Sequence, residues 1–360
     1  LSKLITNFRF ITAFSSIIAA FLIAIIFQYL NLKNDLNNYK KEFTEQKKKE
    51  VKNEVLMIYG LIEYKEELLI KTVEDRLKDR VNQAYALAMD IYETNKKTKT
   101  EDEIKYLIAQ SLDNFKFKDH NNYFFINSNK GQGILFDNKI TLDNYVDIWD
   151  LKDLNNQPII QIQAKIAKEQ KEGFTTNSFI KPDSNDGIQY SKISYIKLFE
   201  PFDWHIGTGE YIDGLTKKNQ EEILNWLNVL KYENSSYMFL NKIDGNVLIY
   251  EGKKVEPKPH PSPEIFNRQL EISKNQNGDF FKYKYKKPNS NEEFEKISFI
   301  KKFDEYGWII GCGVYLDEIE KELQRKEEIF KEHINKQIIS ILIIFLFILL
   351  AIYFISKYIG

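Results

Sequence analysis

The sequence predicts an α+β chain: a long N-terminal helix, then two related modules in tandem built on antiparallel sheets, with a membrane span at either end. Three observations predict it. Uncharged apolar runs stand near both ends. About sixty residues after the first run carry helical periodicity. WHIGTGEYID (Trp204 to Asp213) returns as WIIGCGVYLD (Trp308 to Asp317).

The apolar runs are FITAFSSIIAAFLIAIIFQYL, residues 10–30, and QIISILIIFLFILLAIYFIS, residues 337–356. Each is about twenty residues long, the length a helix needs to cross roughly 30 Å of hydrocarbon. The first exceeds the apolar core of a signal peptide, about 7–15 residues, and QYLNLKND after it has no small-x-small cleavage site. Two spans put residues 31–336 on one side of the membrane and residues 1–9 and 357–360 on the other. Positive flanks at Lys3, Arg9 and Lys357 assign the short ends to the cytoplasm. The expected protein is therefore a two-pass membrane protein with an extracytoplasmic middle. Its single cysteine, Cys312, excludes an intrachain disulfide. The net charge of −1 and the lack of a basic stripe argue against a nucleic-acid partner.

Residues 31–94 form the long helix. Val51, Val55, Ile58, Ile62, Leu69, Val73, Leu77, Val81 and Ala88 recur at steps of three, four and seven, with no proline and one glycine, Gly60. At 1.5 Å per residue such a helix reaches about 90 Å, so it must run along something.

Beyond it the period shortens to two. NYFFINSNKGQGILF (Asn122 to Phe136) reads as a hairpin turning near Gly131, and SYMFLNKIDGNVLIY (Ser236 to Tyr250) as its copy, turning at Asp244 and Gly245. YSKISYIKLFEPFDWHIGTGEYIDGL aligns without a gap on FEKISFIKKFDEYGWIIGCGVYLDEI. Lys192 falls on Lys296, Ser194 on Ser298, Trp204 on Trp308, Tyr211 on Tyr315 and Asp213 on Asp317. The unit is domain-sized, hence a duplicated module: residues 95–215 and 216–318. A helix is expected between Asn155 and Gly173, with Pro158 in its first turn. In the second copy a proline-rich loop feeds a shorter helix from about Pro263. A rod, residues 319–336, joins the second module to the second span.

Catalytic signatures are missing. His120, His205, His260 and His333 have no metal-ligand spacing, and no phosphate loop, nucleophile elbow or Cys-x-x-Cys is present. No enzyme activity, metal or cofactor is expected within these residues. In the repeated doublet Trp204 and Trp308 read as core aromatics with Tyr211 and Tyr315 beside them. Gly207, Gly209, Gly311 and Gly313 read as positions of close backbone approach, and Asp213 and Asp317 as caps of the following helices. Lys192 and Lys296 are different. Strand alternation puts Tyr190, Lys192 and Ser194 on one face and Ile193, Tyr195 and Lys197 on the other. A lysine on a covered face needs an anion to offset its desolvation; a lysine facing water, or paired with an internal carboxylate, needs none.

RVNQAYALAMDIYE, NYFFIN, IWDLKD, KISYIKLFEPFDWHIGTGEYID and the second copy of the last segment, in this order, resemble the double Cache domains of bacterial transmembrane receptors, with PAS-like modules. The resemblance covers residues 31–336. It implies a sensor whose first, membrane-distal module binds a small solute, with a pocket lined by Tyr123, Phe125, Trp149, Lys192, Tyr195 and Thr208. An organic acid is the expected ligand, an amino acid the alternative. Phe299 for Tyr195 and Cys312 for Thr208 remove two hydroxyls from the second copy, which implies a structural or relay role there. The paired long helices lead to the expectation of a homodimer. The resemblance also implies an output module after the second span: a histidine kinase, or else a diguanylate cyclase or chemotaxis transducer. A membrane-anchored binding or assembly module without output is the rival reading.

Overall fold

The computed structural model describes residues 2–115, 123–137, 139–181, 187–230, 237–287 and 292–359. His120, the first residues of both predicted hairpins, and the side chains of Lys3, Arg9 and Lys357 lie outside the described residues. Helix α1 is one unbroken element, Ser2–Asn95, as its lack of proline allows. The chain forms two compact units, residues 60–225 and residues 1–59 with 226–360.

In the first unit Thr100 starts α2 (Glu101–Asp113) with a reciprocal capping box to Glu103. There follow β1 (Phe124–Ser128), β2 (Gln132–Phe136), β3 (Lys139–Ile140), β4 (Val146–Asp147), α3 (Ile159–Gln170), β5 (Glu172–Ile180), β6 (Gln189–Phe199) and β7 (Trp204–Tyr211). The sheet is antiparallel, in the order β3-β2-β1-β7-β6-β5, with β4 beside β2. Gly131 makes the β1–β2 turn at φ +94°, a conformation that favours glycine.

Strand register sorts the side chains onto two faces. Phe125 lies opposite Gly207, Ser194 opposite Gly209, and Lys192 opposite both Tyr211 and Asn177. Tyr195 lies opposite Thr208 and Phe174, on the other face. Helix α1 covers that second face: Val73, Leu77 and Val81 pack on Ile193 and Tyr195. Ala84, Ala88 and α2 pack on Phe124, Ile126, Phe199, Trp204 and Ile206. Each fully buried aliphatic side chain in this layer contributes about 1.5–3 kcal/mol relative to exposure. Arg76 clamps Glu210 of β7 to α1 with two bonds, 3.0 and 2.5 Å. The first face is covered instead by α3, whose Ala167 packs with Phe125, Ile196 and Leu198.

After a helix that begins in the first unit, the second unit repeats the plan. Helix α4 (Asp213–Val229) leads to β8 (Tyr237–Lys242), β9 (Asn246–Tyr250), β10 (Lys253–Pro259), α5 (Pro263–Ile272), β11 (Asp279–Lys286), β12 (Glu293–Phe303), β13 (Trp308–Tyr315) and α6 (Leu316–Ile359). The sheet order is β10-β9-β8-β13-β12-β11. The proline-rich stretch expected to be a loop begins as strand β10. It lies at the sheet edge, where Pro257 and Pro259 cost no ladder hydrogen bond on the open side. Ser262 caps α5.

In this unit α1 packs through Tyr59 edge-on to Phe303, at 5.4 Å, and Cys312 bonds Glu54. The start of α1 also runs beside α6. Phe21 stacks on Phe345 at 4.5 Å, Gln28 Nε2 donates to Gln337 Oε1 at 2.6 Å, and Lys40 pairs with Glu327 at 3.5 Å. Both apolar runs lie on helices long and apolar enough to cross a membrane, with Phe27 and Phe347 exposed.

The cap expected of Asp213 and Asp317 is replaced by an ion pair. Asp213 is already helical, and its Oδ2 takes Lys181 at 3.0 Å; Asp317 takes Lys287 at 2.6 Å. A carboxylate in the first turn still complements the helix dipole.

Candidate ligand cavity

Lys192 is the centre of the first unit's site. It sits mid-strand in β6 and is 3% exposed. Its ammonium lies in a box of four rings: Tyr123 at 4.2 Å, Tyr211 at 5.0 Å, Phe179 at 5.5 Å and Phe125 at 5.9 Å. Ring faces attract a cation, but they replace only part of its hydration. Among the described residues no carboxylate comes within ion-pair distance of Lys192. Burial accordingly pulls its pKa down to about 7.

The box opens on a tight cavity of about 30 Å³, lined also by Asn127, Phe136, Ile159, Gln163, Asn177 and Ser194. That space suits a guest of a few heavy atoms. No acidic side chain lines it. Asn127 Oδ1, Gln163 Oε1 and Asn177 Oδ1 are buried without a hydrogen-bond partner among the described residues. Gln163 can present either its oxygen or its NH2 edge to a guest by a half-turn, whereas Asn127 turns its NH2 to His205 and Asn177 to the Ser178 carbonyl, which leaves their oxygens as acceptors for a guest hydroxyl.

The repeated glycines make this floor. A Cβ at Gly207 would enter the Phe125 ring, and one at Gly209 would meet Ser194 Oγ and Lys192 Cε. The Gly-x-Gly strand therefore lets the lysine and the phenylalanine lie flat on backbone. Tyr211 fixes the rim, donating to the Ile180 carbonyl at 2.6 Å and accepting from the Tyr123 hydroxyl. Beneath, His205 is fully buried, its Nδ1 at 2.9 Å from Asn129 Oδ1 and its Nε2 at 3.3 Å from Asn127 Nδ2. Burial lowers its pKa to about 3, which keeps the ring neutral.

Of the six expected lining residues, the structure brings together Tyr123, Phe125 and Lys192. The other three lie elsewhere. Tyr195 is on the helix-covered face, because it follows Lys192 by an odd number of residues. Thr208 shares that face, with Oγ1 donating to the Tyr123 carbonyl at 2.8 Å. Trp149 stands outside, 36% exposed, with its Cβ against the Gly131 turn. The hydroxyls lost at Phe299 and Cys312 belong to the same helix-side face, so they say nothing about a cavity in the second module. Asn127 and Gln163 were missed, although the repeat marks both: Asn127 matches Asn241 in FFIN and MFLN, and Gln163 matches Gln269 in the following helix.

A wider groove of this unit, about 720 Å³, lies elsewhere, along Lys99, Tyr106, Leu142 and Tyr145. It is open and has no buried charge, so the narrower cavity is the better candidate. Among the described residues no group of three His, Cys, Asp or Glu side chains could hold a metal ion.

Fold and site together define a two-module α+β domain with a ring-caged lysine in the first module. The chain belongs to the Cache domain family, whose dCache_2 model matches residues 28–320. It is 26% identical over 114 residues to the methyl-accepting chemotaxis protein McpP of Pseudomonas putida, covering 30% of this chain and 21% of that protein. It is also 26% identical over 106 residues to the sensor histidine kinase MctS of Rhizobium johnstonii, covering 28% and 23%. The match thus spans about a fifth of the length of these relatives. Among solved structures it is similar to the ligand-binding domain of the Campylobacter jejuni chemoreceptor Tlp3 in complex with L-valine. That likeness is 14% identical with a TM-score of 0.30, over 78% of this chain and 97% of that one, and it carries no functional argument.

Proposed function

We propose that this chain is the sensing part of a two-pass membrane receptor that binds a small carboxylate in the first module. Residues 10–30 and 337–356 would cross the membrane, with residues 31–336 outside the cytoplasm. The observation that carries the ligand class is Lys192: a buried ammonium facing a cavity with no acid in it. A carboxylate entering the cavity replaces the missing counter-ion, and the Gln163 amide can turn its NH2 edge to donate to it. The curated relatives, a chemotaxis receptor and a sensor kinase, support an output on the cytoplasmic side, a histidine kinase first among the options.

Binding can move such a receptor only by its differential affinity for two states. The unbroken helix α6, Leu316–Ile359, is suited to carry a shift of about 1–2 Å into the second span. Met57, Tyr64 and Leu68 form an exposed apolar stripe along α1, with Gly60 open between them, which supports pairing with a second copy.

The test is thermal unfolding of the 360-residue chain in detergent with acetate, propionate, lactate and pyruvate. At a hundred times its dissociation constant a true ligand adds about 2.7 kcal/mol. Stabilisation that disappears in Lys192→Met supports the reading. No stabilisation by any of these acids, or an equal effect in Lys192→Met, overturns it.

A further inference from the structure

The second module encloses a cavity of its own, about 20 Å³, around Lys296. Lys296 is 2% exposed and sits in a matching box, with Tyr237 at 4.1 Å, Tyr315 at 5.1 Å, Tyr285 at 5.8 Å and Phe239 at 5.9 Å. The box is locked as in the first module: Tyr237 donates to the Tyr315 hydroxyl at 2.8 Å, and Tyr315 to the Lys286 carbonyl at 2.5 Å. A module kept only as a spacer has no need of a lysine buried at such desolvation cost.

Two differences from the first cavity set the ligand class. Where the first has Phe136, Asn177 and Phe179, the second has Tyr250, Tyr283 and Tyr285, three phenols in place of two phenyl rings and an amide. The second difference is charge. Glu251, held at φ +50° in the turn after β9, lines the Lys296 cavity, whereas no acid lines the Lys192 cavity. Glu251 lies close enough to act electrostatically on Lys296, Tyr237, Tyr285 and Tyr315; its counterpart Asp137, at φ +52° after β2, acts likewise on Tyr123 and Tyr211 but does not line the Lys192 cavity. Yet among the described residues Lys296 has no ion-pair partner. One cavity thus holds a cation and an anion that do not touch. A neutral or singly charged guest leaves one of them unmatched; a guest carrying both charges matches both.

We propose that the second module is a second binding site, for a small zwitterion of the amino-acid type, with the guest carboxylate on Lys296 and its ammonium between Glu251 and the phenol faces of Tyr250 and Tyr285. Rings and a carboxylate together are a standard environment for an ammonium group. The inference rests on this cavity alone and stands whatever the first cavity binds.

The experiment is calorimetric titration of the 360-residue chain carrying Lys192→Met, so that the first cavity lacks its charge, with glycine, alanine, acetate and methylamine. Glycine or alanine should bind at least tenfold more tightly than acetate or methylamine. Adding Glu251→Gln should weaken the amino acids at least tenfold and move acetate less than twofold, while adding Lys296→Met should abolish binding of amino acids and acetate alike. If neither amino acid binds, if acetate binds as well as glycine, or if Glu251→Gln changes nothing, the proposal is wrong. Glu251 is a partly exposed turn residue, so its variant tests the site even if Lys296→Met fails to fold.

Discussion

Lys192 Nζ stands 4.2 Å from the centre of the Tyr123 ring, reaching over β7, which lies between β6 and the strand that starts at Phe124. The ring gives the ammonium a partial counter-charge and no hydrogen-bond acceptor. Its pKa near 7 is the mark of that incomplete solvation, and it makes the site sensitive to pH in the ordinary range.

Carboxylate binding should follow the protonation of Lys192. Affinity should be flat well below pH 7, fall about fivefold from pH 7 to 8, and fall about tenfold more by pH 9, as expected for one group titrating near 7. Calorimetry at four pH values measures this, with proton uptake on binding near pH 7 as the companion signal. A pH-independent affinity would remove Lys192 from the site.

The empty protein should be stabilised by Lys192→Met. A lysine whose folded pKa is depressed binds its proton less tightly folded than unfolded. Its cost is therefore present in full below about pH 7 and is relieved as pH rises toward 10.5. Replacing the buried charge by an apolar side chain should add about 1–4 kcal/mol at pH 6. The gain should shrink by pH 9. Urea unfolding at both pH values reads the difference.

Tyr195→Phe and Thr208→Val should leave carboxylate affinity within twofold of the parent, because both side chains lie on the helix-covered face. Thr208→Val should still cost about 1 kcal/mol of stability by removing the bond to the Tyr123 carbonyl. A tenfold loss of affinity in either variant would mean that the cavity has been placed on the wrong face.

Gly207→Ala should destabilise the first module by about 1–3 kcal/mol, since the new methyl group enters the space of the Phe125 ring and overpacks the sheet floor. Gly311→Ala should do the same in the second module against Phe239. Unfolding midpoints of the two variants check both, and a neutral substitution would show that the ring can swing aside.

The sequence alone determined the duplication, the two apolar helices, the long proline-free α1, the hairpin turns at Gly131 and Gly245, and the shared face of Lys192 and Ser194. These are local or periodic properties: helix and strand periods, turn chemistry, and identity between two copies. Strand alternation even separated Tyr195 from Lys192, but it cannot say which face a helix covers and which encloses a cavity. Only the tertiary structure decided that, by laying Val73, Leu77 and Val81 of α1 over one face of the sheet and α3 over the other. It also gathered Asn127, Gln163 and Asn177 from β1, α3 and β5 around one ammonium, and placed Glu251, but not its counterpart Asp137, at the wall of a cavity. Such convergence depends on the packing of elements far apart in the chain, and no period within a single segment encodes it.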